Sequence, residues 1–96
     1  MDKPASLTAL YTRNPTVAFR SMEGSGFLAD QDNEAVYYLN ETGAAIWHFL
    51  QQPATLMEIA ETMQTAFPDT PYQQIEQDVS NTLLQLAEKG LVVISE

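Results

Sequence analysis

Cysteine is absent from this 96-residue chain. Its absence removes disulfides, thiolate nucleophiles and zinc–thiolate sites, and fits a reducing cytoplasm. Basic residues are scarce: four Lys and Arg stand against thirteen Asp and Glu, for a formal net charge of −9. Nucleic-acid binding draws on Lys and Arg to neutralise phosphates, and anionic membrane surfaces attract the same residues; no nucleic acid and no membrane is therefore expected as a partner. No apolar run approaches the ~20 residues needed to cross a bilayer. The opening Met1-Asp2-Lys3-Pro4-Ala5-Ser6 has no apolar segment behind a basic start. We read the chain as soluble and cytoplasmic. Histidine occurs once, as His48 beside Trp47 and Phe49. With no Cys partner and no nucleophile motif, it reads as a surface or half-buried side chain and not as a catalytic base. G-x-S-x-G, Walker and G-x-G-x-x-G patterns are missing as well. No enzymatic activity, cofactor or metal is expected.

What remains is a chain with 45% apolar residues, normal for a globular domain. One domain is expected. At this size it folds alone but has no room for a deep active-site cavity. The acidic balance serves solubility or attracts a peptide of basic character.

Residues 1–15 carry Pro4 and Pro15 with little periodicity and read as a flexible arm, with Leu10 and Tyr11 available to tack it to the body. The domain proper spans 16–96. Thr16–Met22 alternates, with Val17 and Phe19 on one face and Ala18, Arg20 and Met22 on the other, as in a half-buried strand. Glu23-Gly24-Ser25-Gly26 is a turn signal. Phe27–Asp30 reads as a second strand, Gln31-Asp32-Asn33 as a polar turn, and Glu34–Leu39 as a third strand rich in β-formers. Short connections predict an antiparallel meander.

The period then becomes helical. Asn40 is placed as N-cap of a helix from Glu41 to about Gln51, with Gly43, Ile46, Trp47 and Leu50 on one face. Leu39 and Ala44 stand where a hydrophobic staple would be, and Pro53 marks the exit. Thr55-Leu56-Met57-Glu58 is a capping box; the helix it opens carries the stripe Leu56, Ile59, Ala60, Met63, Phe67 and stops at Pro68. Thr70-Pro71-Tyr72-Gln73 predicts a third helix with Thr70 as N-cap, and Ile75, Val79, Leu83 and Leu86 form its apolar stripe. Lys89-Gly90 closes it, and Leu86 and Leu91 are placed to touch as in a Schellman motif. Leu91–Ser95 is a short strand or extended cover. The expected fold is α+β and winged-helix-like: a three-stranded antiparallel β-meander, three helices and a short C-terminal strand.

Asp30, Asp32, Glu34 and Glu41 fall at calcium-loop positions, but Ala35 stands where the sharp bend requires Gly and the flanks read as strands. A solvated hairpin turn accounts for the same residues. Trp47 reads as core. Tyr37 and Tyr38 are neighbours on a strand and point to opposite faces, so one sheet face cannot bury both.

Two function classes follow. A helix-turn-helix would place the third helix in the major groove, yet Tyr72-Gln73-Gln74-Ile75-Glu76-Gln77-Asp78 offers carboxylates and no Lys or Arg before Lys89. The sheet offers another use. A three-stranded meander leaves a free edge, and Glu34–Leu39 has no Pro or Lys to blunt it. An extended peptide would pair there, with side chains in pockets against the third helix.

Tyr38-Leu39-Asn40-Glu41-Thr42-Gly43-Ala44-Ala45-Ile46-Trp47, then Thr55 with Glu58-Ile59-Ala60, then Asp78-Val79, Leu83, Leu86 and Lys89-Gly90-Leu91-Val92, resembles the PqqD family over residues 16–94. The resemblance implies a peptide chaperone, or recognition element, for ribosomally made and post-translationally modified peptides. Such a protein binds a precursor's leader peptide as a strand and presents the core to a tailoring enzyme such as a radical-SAM protein, cyclase or leader peptidase. Carried over, the peptide contacts are Glu34, Val36, Tyr37, Tyr38 and Leu39 on the strand, and Ile75, Asp78, Val79 and Thr82 on the third helix. Asp78 would pair with a basic leader residue or orient the helix. Ala29-Asp30-Gln31-Asp32-Asn33 departs from the Pro-Glu-Gly-like segment of members dedicated to pyrroloquinoline quinone synthesis, and Gln51-Gln52-Pro53 lacks the Gly common at that junction. Both differences make the chain more similar to stand-alone members from lasso-peptide and other clusters. A monomer or weak dimer is expected; the alternative is a winged-helix DNA-binding or other protein-interaction module.

Overall fold

The computed structural model describes residues 8–95. Pro4 and the rest of 1–7 lie outside the described residues, as does Glu96. The elements are β1 (Leu10–Arg13), β2 (Val17–Met22), β3 (Ser25–Asp30), β4 (Ala35–Leu39), α1 (Glu41–Phe49), β5 (Ala54–Thr55), α2 (Leu56–Ala66), α3 (Tyr72–Glu88) and β6 (Val92–Ser95).

The expected meander forms, in the order β2-β3-β4. Met22 pairs with Ser25, so the hairpin loop is Glu23-Gly24. Both loop residues have positive φ, 45° and 92°, the type I′ geometry whose twist matches the flanking strands. Phe19, Leu28 and Tyr37 fall in one cross-strand row. Leu28, at its centre, is fully buried. Gly26 sits on the same face as this row. A Cβ there would come within 2.5 Å of the Phe19 ring and 2.6 Å of the Arg20 carbonyl oxygen, so the aromatic ring occupies the room that the glycine leaves. Phe19 also meets the exposed His48 edge to face, at 4.9 Å, which ties β2 to α1.

The helix starts follow their capping signals in two cases of three. Asn40 accepts the Gly43 N–H at 2.8 Å. Thr55 and Glu58 complete the reciprocal box, at 3.1 and 2.9 Å. The expected Thr70 cap does not form. Pro71 is extended (φ −57°, ψ 139°), and α3 begins one residue later than the capping pattern requires. The Pro71 carbonyl accepts from Gln74 and Ile75 instead, at 3.0 and 3.1 Å. α1 stops at Phe49 because the Leu50 and Gln51 N–H groups reach back three residues, to Trp47 and His48. Phe67 departs from the α2 stripe. Its backbone (φ −127°, ψ 70°) has left the helix, and the side chain is 47% exposed.

The C-terminal end of α3 is a full Schellman closure. Leu91 N–H donates to Leu86 and Gly90 N–H to Ala87, at 2.9 and 3.0 Å, with Gly90 at φ 73°. The closure buries Leu91 and directs β6 back across the molecule.

Residues 8–15 correct the expectation of a loose arm. β1 is the middle strand of a second antiparallel sheet, β5-β1-β6, with Leu10 opposite both Thr55 and Ser95. Tyr11 is completely buried. Arg13 donates through Nε and Nη2 to the Trp47 carbonyl, at 3.1 and 2.5 Å, and its guanidinium lies 4.7 Å from the centre of the Trp47 ring. A cation is favoured there because the last carbonyls of a helix carry negative partial charge. Burial lowers the Arg13 pKa from its ordinary value, and arginine stays charged regardless. The core joins Tyr11, Leu28, Trp47, Ile59, Val79 and Leu83.

Gly26→Ala is expected to destabilise the fold by about 1–3 kcal/mol through overpacking. Arg13→Met, which keeps the aliphatic stem and removes both side-chain donors while the Trp47 carbonyl keeps its bond from the Leu50 N–H, is expected to cost about 1 kcal/mol. Urea midpoints of both variants against the wild type check these values.

Candidate functional site

Among the described residues β4 is the outer strand of its sheet, paired with β3 on one side only. Along an edge strand, alternate amide and carbonyl groups face outward without a ladder partner. Alternation sets the side chains. Ala35, Tyr37 and Leu39 turn inward, while Val36 and Tyr38 stand on the outer face at 65% and 61% exposure. Tyr38 meets Phe27, its cross-strand partner, at 5.7 Å and 63°. Inward, Lys89 Nζ sits 5.6 Å from the Tyr37 ring centre. Tyr37 thus lies within reach of the side chain that closes the C-terminal end of α3.

Two open clefts border α3. The first, of about 160 Å³, is lined by Tyr38, Leu39, Asn40, Gly43, Thr82 and Gln85. It lies where β4 passes into α1. Gly43 keeps its floor low: a Cβ there would already be 3.2 Å from a Leu39 methyl carbon. The second, of about 170 Å³, is lined by Thr42, Met63, Phe67, Thr70, Gln74, Ile75 and Asp78. α3 therefore presents Gln74, Asp78, Thr82 and Gln85 as one continuous wall, with helical spacing of three and four.

Of the residues expected from the sequence, Tyr38, Leu39 and Thr82 meet at the first cleft, and Ile75 and Asp78 at the second. Val36 stands on the open edge, and Tyr37 lies under Lys89. Two expectations need correction. Val79 is fully buried and belongs to the core behind the wall. Glu34 precedes β4, in the turn and at φ 50°, and is exposed. Asn40, Gly43 and Gln85 were missed, although Gly43 in the first turn of a helix after a strand was a readable signal. Thr42, Phe67 and Gln74 were missed because tertiary packing of three helices assembles their cleft.

Asp30 is buried, and its carboxylate accepts from the Asp32 N–H and Asn33 Nδ2 at 3.2 and 2.7 Å, stapling the β3–β4 turn. Among the described residues no group of three or more His, Cys, Asp or Glu is placed to hold a metal ion, and no helix is long and apolar enough to cross a membrane. Burial first, then Glu76 and Glu61, raise the Tyr72 phenol above its ordinary pKa.

The profile of coenzyme PQQ synthesis protein D (PqqD) matches residues 26–92, well over half of the chain. The chain belongs to the PqqD family. Similar solved structures include TbiB1 in complex with the TbiA(beta) leader peptide (TM-score 0.75, 21% identity, covering 84% of this chain and 93% of that one). Lasso peptide synthetase B1 complexed with the leader peptide is another (0.73, 19%, 86% and 96%). The PqqD truncation of Methylobacterium extorquens PqqCD, a stand-alone recognition element for ribosomally synthesised and modified peptides, gives 0.77 at 20% identity, covering 93% and 94%. At these identities the likeness establishes the fold. No curated protein matches the sequence significantly. In this PqqD-family chain the fold brings the end of β4 and the α3 wall to one cleft.

Asn40→Ala removes the cap that holds the start of α1 at the mouth of the first cleft. It is expected to cost about 1 kcal/mol, measured as a lower midpoint in urea.

Proposed function

We propose that this protein is a non-catalytic recognition module that takes the leader segment of a ribosomally made precursor peptide as an added strand on β4. The observation that carries this reading is the free β4 edge, whose end meets α3 at one open cleft, with a second cleft farther along the helix. Main-chain pairing supplies affinity, and alternate guest side chains reach either the clefts or the exposed Val36–Tyr38 face. Val36, Tyr37, Tyr38 and Leu39 form the strand side of the site. Ile75, Asp78 and Thr82 form the helix side, joined by Asn40, Gly43 and Gln85. The leader-bound complexes of TbiB1 and lasso peptide synthetase B1 support the reading. The partner that acts on the core peptide is a tailoring enzyme: a radical-SAM protein, a cyclase or a leader peptidase. The module raises the effective concentration of the core at that enzyme, to about millimolar for a short flexible tether. The compartment is the cytoplasm, where precursor peptides are made. As a monomer or weak dimer the protein keeps the edge free for its guest.

The DNA-binding alternative finds no support. The first two turns of α3 carry Gln73, Gln74, Glu76, Gln77 and Asp78, and no cation precedes Lys89.

The test is an amide-resolved NMR titration with the leader of a short precursor encoded beside the gene. Saturable shifts are expected on 34–43 and 74–85 with the leader, and none with a DNA duplex. Val36→Pro, shown folded by circular dichroism, is expected to lower affinity at least tenfold. Normal leader binding by that folded variant sinks the edge-strand reading.

A further inference from the structure

The second cleft lies past the end of β4. Its walls come from α1, α2 and α3 and the α2–α3 turn, and no residue of β4 lines it. Main-chain pairing with β4 therefore does not extend into it, and whatever fills it is recognised by its side chain. Two chemistries meet there. Met63 and Ile75 form a buried apolar floor, and Phe67 exposes nearly half its surface. Asp78, exposed, sets a carboxylate on the wall, with Thr42 and Gln74 as further polar neighbours.

A long aliphatic cation fits both chemistries. Its methylene stem lies on thioether and phenyl carbon while its head stays at the rim, where the carboxylate and the Phe67 ring both favour it. The surroundings add to this. Formal charge is −9 over the chain, and the cations among the described residues are placed elsewhere. Arg13 is held on the Trp47 carbonyl, Arg20 belongs to β2, and Lys89 lies over Tyr37.

We propose that this cleft is the specificity site for a lysine or arginine side chain of the guest peptide. The inference rests on the strand-addition reading above and adds a position to it. The two clefts are centred about eight residues apart along α3, or about 12 Å at a rise of about 1.5 Å per residue. An extended guest covers that distance in three to four residues, at about 3.3 Å each. The basic residue therefore stands three or four positions from the side chain seated in the first cleft.

The experiment is selection of a phage-displayed library of random 12-residue peptides on the wild type, Val36→Pro, Phe67→Ala and Asp78→Lys, each shown folded by circular dichroism. The wild type is expected to enrich β-forming apolar segments with Lys or Arg three or four positions from an apolar anchor. Asp78→Lys is expected to replace that residue by Asp or Glu at the same position, and Phe67→Ala to weaken the preference. In anisotropy titrations of one selected peptide, changing its basic residue to Ala is expected to lower affinity about tenfold on the wild type and less than twofold on Asp78→Asn. Enrichment that depends on Val36 but shows no basic position, or one unmoved by Asp78→Lys, overturns this inference and leaves strand addition standing. Enrichment no greater on the wild type than on Val36→Pro overturns both.

Discussion

The groove depends on one short strand, β1, held between β5 and β6. From that position Tyr11 enters the core and Arg13 reaches the C-terminal end of α1. β6 arrives only because the Schellman turn at Gly90 sends the chain back from α3. The same strand thus fastens the helix at the mouth of the groove and the helix that forms its wall. The Trp47 indole N–H, buried without a hydrogen-bond partner among the described residues, marks how firmly this arrangement is set by packing, since such a group costs about 1–3 kcal/mol. The Arg13 guanidinium over the ring face offsets part of that cost.

An open edge strand invites pairing with any other open edge, including its own copy. β4 carries no Pro, no Lys and no bulge against this, and its exposed residues are apolar or aromatic. Charge does what local residues do not. Two copies of a chain with charge −9 repel one another, while a guest with basic residues is drawn in. On the proposed reading, the charge that disfavours self-pairing also favours a basic guest. The repulsion is long-ranged and screened by salt over about 8–10 Å, whereas the backbone pairing proposed for a guest is short-ranged.

Much of the fold was legible because its signals are local. The β2–β3–β4 alternation, the Asn40 and Thr55 caps, the α3 stripe and the Gly90 closure each depend on residues a few positions apart. β1 and β5 were not legible: Leu10–Arg13 and Ala54–Thr55 are four and two residues long, too short for a period, and become strands only because each finds a partner far along the chain. Thr70 and Phe67 failed for a related reason. At both positions a change of one residue in where a helix starts or stops overrode a sound local pattern. At the site, the edge strand could be read, since it is a property of one element. The clefts could not, because Gly43 with Gln85, and Phe67 with Thr42, meet only through helix packing.

Because Leu10 lies opposite Ser95, the first and last strands of the described residues meet on one sheet, the one that does not contain β4. A domain with that geometry behaves as a cassette. It can be spliced into a loop of a larger protein without being pulled apart, and cutting an existing loop while joining the two ends would leave every strand pairing except the interrupted connection intact. Covalent attachment to an enzyme is thus open to this architecture at little structural cost, and the choice between a free-standing and a tethered module lies outside the fold itself.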